Sequence, residues 1–269
     1  MNGISVIIPT YNRQDKTDNA VKSVLDQTDL PDEIIVVDDG STIPYRPLDN
    51  RVKIIKHNTN RGAAAARNTG IKAATRRWVG FLDSDDTWHK DRIARVLPHL
   101  LRISDNKCVL GCGFKYSDTE NGTEYNVIPK NATTVNHFAS GCWFCPGSCM
   151  VATRELFLQI GMFNEHLRRL EDYEWFLRLA KAGGTLDIIP DVSVEINKGK
   201  RPDYRLIKKT VAALENELVS LPTTAQRKAR AFLKLEMASA HWYSDMKVRG
   251  ALALAQSFYI YPRHKLQLR

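Results

Sequence analysis

No run of 18 uninterrupted apolar residues occurs in the 269-residue chain, so no membrane-spanning helix is expected. G-x-G-x-x-G is missing after the first apolar run, and G-x-x-x-x-G-K-[ST] is missing throughout. Neither a dinucleotide fingerprint nor a P-loop is therefore supported. Internal repeats and low-complexity tracts are absent as well. Cysteine is sparse, five residues in all, and the opening "MNGISVIIPTYNR" lacks a basic leader and is too short for an export signal. An odd number of thiols without such a signal predicts a reducing, cytoplasmic setting.

What is present is an ordinary globular composition with 43% hydrophobic residues, enough to bury a sizeable core. Charge is unevenly spread. Residues 198–269 hold 15 Lys plus Arg against 5 Asp plus Glu, while the first 197 hold 24 against 25. The basic character belongs to the tail. Such a tail suits an anionic membrane surface, a phosphorylated lipid or nucleic acid, and equally a solvated helical surface.

The first hundred residues alternate strand and helix signals. "ISVIIPT" (Ile4 to Thr10), "EIIVV" (Glu33 to Val37), "VKII" (Val52 to Ile55) and "WVGFLD" read as strands. Asp15 to Gln27 and Arg61 to Ala74 read as helices, the second despite Gly70, and a further helix is expected around Asp91 to Ile103. Continuous apolar strands separated by helices predict an α/β fold with a mostly parallel sheet covered on both faces. "CVLGCGFKY" adds a strand, and Tyr173, Phe176, Leu177 and Ala180 keep helical spacing up to a C-cap glycine at Gly183. Beyond about Asn197 the pattern is helical, with breaks expected near Pro222 and Gly250. Ligands in such sheets bind beyond the carboxyl ends of the strands. Polar segments sit at three of those ends: "PTYNR", "DDGS" and "DSDD". The last places Asp83, Asp85 and Asp86 within four positions, where their mutual repulsion calls for an offsetting cation. An aspartate-rich turn capping the next helix is the simpler alternative.

In order, "SVIIPTYNR", "EIIVVDDGS", "NRGAAAARNTGI", "FLDSDD" and "LEDYEWFLRLAKAGG" resemble the family-two inverting glycosyltransferases of the GT-A fold, over roughly Ile4 to Asn197. The resemblance implies a GT-A catalytic domain over 1–197, with a nucleotide-binding part (1–104), an acceptor-binding part (105–197) and a basic helical extension (198–269). It also implies transfer of a sugar, of the hexosyl type, from a nucleotide sugar, usually a UDP-sugar, to an acceptor hydroxyl with inversion. Asp83, Ser84 and Asp85 match the family's D-x-D, so Asp85, with Asp83, would hold Mn²⁺ or Mg²⁺ against the diphosphate. That agrees with the oxygen-ligand chemistry of a hard cation. Asp39 matches the residue that bonds uracil, and Pro9, Thr10 and Tyr11 frame the base, with Arg13 following them toward the nucleotide. Arg67 matches a position near the phosphates. "LEDYEW" matches the E-D motif, so Asp172 would be the general base, with Glu171 as runner-up; capping of the helix is their simpler use. Asp38 is expected to be structural or near the ribose, and Trp175 to pack in the core.

The chain departs from the processive members, which carry Q-x-x-R-W and membrane helices, so a single-addition transferase is expected. No histidine near Glu195 offers the further metal ligand that some relatives have. The acceptor implied is a saccharide or a lipid-linked saccharide, in surface polysaccharide or glycolipid synthesis. The end of the tail, with Arg263, His264, Lys265 and Arg269 beside apolar residues, suits a peripheral membrane contact as well as simple packing. Structural zinc is disfavoured, because Cys108 and Cys112 on one strand would stand roughly 13 Å apart, and buried thiols are the better reading of the five cysteines. "CPGS", Cys145 to Ser148, is expected to bend the chain beside the acceptor, whose region spans Cys142 to Trp175. A nucleotidyltransferase would normally show a glycine-rich basic loop that "PTYNRQDK" lacks. No zinc-finger spacing or stacking-aromatic motif supports binding of nucleic acid.

Overall fold

The computed structural model describes residues 3–103, 105–118, 121–141, 146–197 and 204–262. Cys142, Cys145, Arg263, His264, Lys265 and Arg269, and the expectations placed on them, lie outside these residues. The chain divides into two compact units, each assembled from separate segments. One comprises Met1–Asn131, Trp143–Glu165 and Gly184–Gly199; the other comprises Ala132–Cys142, His166–Gly183 and Lys200–Arg269.

The first unit holds the sheet. β1 (Ile4–Thr10) lies between β2 (Glu33–Asp38) and β4 (Trp78–Phe81), and β3 (Val52–Lys56) flanks β2. These four strands are parallel, with Thr10 opposite Asp38 and Ile7 opposite Phe81. All seven residues of β1 are buried, which requires cover on both faces and explains its unbroken apolar run. Beyond β4 the sheet becomes mixed. It continues through β8 (Val151–Thr153), β6 (Cys108–Asp118), β9 (Thr185–Asn197) and β5 (Thr87–Trp88), and β7 (Thr123–Val127) pairs with β6. β4–β8, β6–β8, β6–β7 and β5–β9 are antiparallel, and β6–β9 is parallel with a register shift at Cys112/Gly113. The parallel sheet expected from sequence thus describes the β1–β4 half.

Around the sheet lie α1 (Gln14–Leu25), α2 (Ala63–Ala73), α3 (Arg92–Leu100) and α5 (Arg154–Ile160). α2 carries Gly70 because of how closely it packs on β1. A Cβ there would collide with Cγ2 of Ile7, which is itself fully buried. Ala64, Ala65 and Ala66 are buried on the same helix. Small residues let the helix approach the sheet, and the cost of helical glycine, about 1 kcal/mol, is offset by that contact.

The second unit is helical among the described residues. It contains α4 (Val135–Phe138), α6 (Glu171–Lys181), α7 (Tyr204–Leu218), α8 (Thr223–Tyr243) and α9 (Lys247–Ile260). Phe138 of α4 stacks on Phe176 of α6 with ring centroids 5.7 Å apart, and Tyr173 of α6 meets Phe232 of α8 at 4.8 Å. Gly183, with φ of +77°, ends α6 in the left-handed conformation expected of a C-cap glycine. Trp175 is fully buried, in agreement with its expected core role. The break expected near Pro222 falls between α7 and α8. The one expected near Gly250 does not occur: the chain turns at Ser244–Met246, and Gly250 lies inside α9. A glycine often ends a helix, whereas this one allows helix contact. A Cβ at Gly250 would sit 3.2 Å from the backbone oxygen of Ala238, and Ser257, two turns further along the same face, donates to the Ala231 carbonyl at 2.7 Å.

Candidate active site

Because β2, β1 and β4 are neighbours and run the same way, their carboxyl ends open on one edge of the sheet. The three polar segments meet there. Asn12, at φ of +52°, turns the chain after β1, and its side-chain oxygen accepts from Thr42 N at 2.8 Å. Its own N–H donates to Ser41 Oγ at 2.8 Å. The loop after β1 is thereby tied to the loop after β2. Arg13 reaches in the other direction and donates from Nη1 to Asp85 Oδ2 at 2.8 Å, which ties the first loop to the one after β4.

Pro9 and Thr10 are buried within β1, where the Thr10 and Thr17 hydroxyls are 2.6 Å apart. Tyr11 is 42% exposed and offers a flat apolar face. Asp38 is fully committed to the scaffold: its oxygens accept from the N–H groups of Ser41 (2.8 Å) and Tyr45 (2.9 Å). Burial works against its charge, but the bonds from Ser41 and Tyr45 outweigh it and hold the carboxyl below its ordinary range. Asp39 is buried too. Its Oδ1 faces His57 Nδ1 at 2.7 Å and accepts from Arg61 N at 2.9 Å, and its Oδ2 accepts from Gly62 N at 2.7 Å. With about four acceptor positions on a carboxylate, three partners still leave room for one donor of a ligand. His57, whose other ring nitrogen meets Thr69 Oγ1 at 2.8 Å, is a second-row partner that no sequence pattern indicated.

Arg67 is buried in α2 and donates from Nη2 to Asp83 Oδ1 at 2.6 Å. A Cβ on Gly147 would lie 3.3 Å from that nitrogen, so the glycine leaves space for the guanidinium. Phe163 lies beneath it, 5.8 Å from ring centroid to Cζ. Ser84 is buried, whereas the side chains of Asp83 and Asp85 retain 36% and 16% of their exposure. The third aspartate, Asp86, faces inward and accepts from Ser148 Oγ at 2.5 Å and Asn197 N at 3.0 Å. Burial, joined by the charges of Asp83 and Asp85, pushes its carboxyl well above the ordinary carboxylate range, against the pull of these hydrogen bonds. Asn197 was not singled out from sequence, and neither Asp86 nor Ser148 was expected in this role. Three consecutive-looking acids give no sign of which one turns inward. Ser148, at the end of the segment expected beside the acceptor, bonds this loop.

The residues can be tested for fit to a divalent ion. Among the described residues no group of three or more His, Cys, Asp or Glu is placed to hold a metal by itself. Two partly exposed carboxylates, each facing an arginine, instead match a hard cation that takes one or two protein carboxylates and completes its shell with phosphate and water. Cys108, Cys112 and Cys149 are buried free thiols, and Cys112 accepts from Arg92 Nη1 at 2.9 Å in the core.

In the helical unit, Glu171 and Asp172 occupy the first turn of α6, next to Leu170 in the left-handed region at φ of +60°. A buried leucine held there costs of order 1 kcal/mol or more and fixes the start of the helix. Asp172 Oδ1 accepts from Tyr173 N at 2.7 Å, and the helix dipole favours negative charge at this end.

The family described as glycosyl transferase family 2 matches residues 5–161. An uncharacterized glycosyltransferase of Rickettsia conorii is 35% identical over 205 residues, 73% of this chain and 33% of that protein. The putative teichuronic acid biosynthesis glycosyltransferase TuaG of Bacillus subtilis is 35% identical over 142 residues, 50% of this chain and 51% of its own. The chain thus spans between a third and a half of the length of these two relatives. WfgD of Escherichia coli, named as a UDP-Glc:α-D-GlcNAc-diphosphoundecaprenol β-1,3-glucosyltransferase, is 36% identical over 187 residues, 66% of this chain and 70% of that one. Among solved structures, S. aureus TarS 1-349 in complex with UDP-GlcNAc superposes with a TM-score of 0.67 at 19% identity, covering 97% of this chain and 82% of TarS. That likeness is one of fold.

Proposed function

As the chain belongs to glycosyl transferase family 2, we propose that it is an inverting transferase that moves a sugar from a UDP-sugar to the hydroxyl of a saccharide or lipid-linked saccharide. The observation that carries this reading is the gathering of Tyr11, Arg13, Asp39, Arg67, Asp83 and Asp85 at the carboxyl ends of three adjacent parallel strands. A UDP donor is supported by the ligand named for the TarS structure and the donor named for WfgD, and a lipid-linked acceptor by the diphosphoundecaprenol in the name of the latter.

In this reading Tyr11 stacks on the base and the remaining acceptor position of Asp39 takes the uracil N–H. Pro9, Thr10 and Ser84 shape the pocket wall. Asp85, with Asp83, would hold Mn²⁺ or Mg²⁺, whose charge would offset that of a departing diphosphate. Arg13 and Arg67 already face those carboxylates and can turn a guanidinium to a phosphate oxygen. Asp172 serves as the general base, taking the proton of the attacking hydroxyl, with Glu171 as the alternative. A role in surface polysaccharide synthesis and a cytoplasmic location, with the basic tail against the inner face of a membrane, belong to the same reading. No helix among the described residues is long and apolar enough to cross a membrane. Exposed Trp242, Tyr243, Val248 and Leu252 beside Lys247 and Arg249 suit an anionic lipid surface.

Calorimetric titration of UDP with and without Mn²⁺, beside GDP, tests the donor assignment. Tighter UDP binding with metal is expected, and a preference for GDP or no binding in either condition would refute it.

A further inference from the structure

The loop that presents Asp83 and Asp85 contains a third carboxylate that faces away from the edge. Asp86 is 4% exposed, and each of its oxygens already accepts from a donor of the protein. What it does reach are two segments distant in sequence. Oδ2 accepts from Ser148 Oγ at 2.5 Å, and Oδ1 accepts from the N–H of Asn197, the last residue of β9, at 3.0 Å. Each of those partners holds the loop a second time. Ser148 Oγ accepts from Asp83 N at 3.0 Å, and Asn197 Nδ2 donates to the carbonyl of Asp85 at 2.6 Å.

The four bonds form a closed pattern. Ser148 fixes the residue where the loop begins, Asn197 fixes the residue before Asp86, and the Asp86 carboxylate joins the two. Within the loop, Asp86 N donates to Asp83 O at 3.0 Å. Ser148 is itself anchored, since its carbonyl accepts from Trp88 Nε1 at 2.9 Å. Three acids in four positions would relieve their repulsion by splaying apart. Turning one of them inward, onto two fixed donors, leaves the other two directed outward.

We propose that Asp86 is a positioning residue which, through Ser148 and Asn197, sets the spacing of the Asp83 and Asp85 carboxylates for a divalent cation shared with a diphosphate. The inference rests on the metal reading of that loop given above. A preset pair of carboxylates spends no ordering entropy when the ion arrives, so the set acts on metal affinity and not on contacts with the base, which come from the loops after β1 and β2.

Substitution of Asp86 itself would leave two buried donors without an acceptor and threatens folding. The test therefore uses Ser148→Ala, Asn197→Ala and the double variant in the full chain. For each, UDP binding is followed as Mn²⁺ is raised, and the Mn²⁺ midpoint is read together with the UDP affinity at saturating Mn²⁺. Each single change is expected to raise the midpoint about fivefold, the loss of roughly one net hydrogen bond, while UDP affinity at saturating Mn²⁺ returns to that of wild type. The double variant is expected to fall short of the product of the two, because both loosen the same short loop, Ser148→Ala at Asp83 and Asp86 and Asn197→Ala at the Asp85 carbonyl, while the backbone N–H of Asn197 still meets Asp86. An unchanged midpoint, or UDP affinity that stays reduced at saturating Mn²⁺, would overturn the positioning role. Wild-type UDP binding that is indifferent to Mn²⁺ would remove the metal reading itself, and that result is visible before any variant is made.

Discussion

Arg13 and Asp85 are 72 positions apart in sequence and 2.8 Å apart in the structure. The guanidinium is half exposed and the carboxylate mostly sheltered, so their attraction is only partly screened. This pair joins the turn after the first strand to the loop after the fourth. It also places a cationic side chain on the carboxylate to which the proposed function gives a metal.

Replacing Asp85 with Asn removes that charge. Metal-dependent UDP affinity is expected to fall roughly 10- to 100-fold, the span of about 1.5–3 kcal/mol for bonds to charged groups. UDP titration in Mn²⁺ checks it, and wild-type affinity would strip Asp85 of its role.

Asp172→Asn should divide binding from chemistry. UDP affinity is expected to stay at the wild-type level while transfer slows by about 10²–10⁴-fold, the usual contribution of a general base. Parallel measurements of binding and of kcat on an accepted donor and acceptor decide between Asp172 and its neighbour Glu171, whose own variant should then transfer normally.

Gly70→Ala tests the contact of helix and sheet. The added methyl would meet Ile7, and overpacking of about 1–3 kcal/mol exceeds the gain of about 1 kcal/mol in helix propensity. Thermal or urea unfolding is expected to show a net loss of stability, and an unchanged midpoint would show that β1 can yield there.

Asp38 carries a pH signature. Its folded carboxyl lies below the ordinary 3.8, because the hydrogen bonds of Ser41 and Tyr45 to the charged form outweigh its burial. A depressed acid stabilises the fold above its unfolded value, and the contribution is lost as pH falls through the folded one. The stability gap between wild type and Asp38→Asn should therefore be full near neutrality and shrink below about pH 4. Urea midpoints at several pH values check this, and a gap that widens in acid would contradict it.

Legibility in the sequence followed burial. The strands β1, β2 and β4 showed themselves as apolar runs because both faces are covered, β3 showed a shorter run between two exposed lysines, and the amphipathic α1 and α6 showed their spacing. β7 did not, since four of its five residues are exposed and it has no apolar face to betray it. β5, two residues long, is too short for any period. Gly250 misled because a glycine that ends a helix and one that admits a neighbour are the same letter. At the candidate site the motif residues were readable, but their partners were not. His57 under Asp39, Ser148 and Asn197 under Asp86, and Arg13 on Asp85 are created by long-range folding, and no local pattern encodes them.

The helical unit is woven from three stretches of chain, and the aromatic face of α6 rests on Phe138 before it and Phe232 after it. Residues 204–262 are therefore not a detachable appendage. Grafting a relative's tail onto this protein would exchange only one side of a shared seam and leave Tyr173 facing an unfamiliar ring. Inheritance of a new tail would have to carry residues 132–142 and 166–183 with it, and the helix bearing Asp172 would travel in the same parcel.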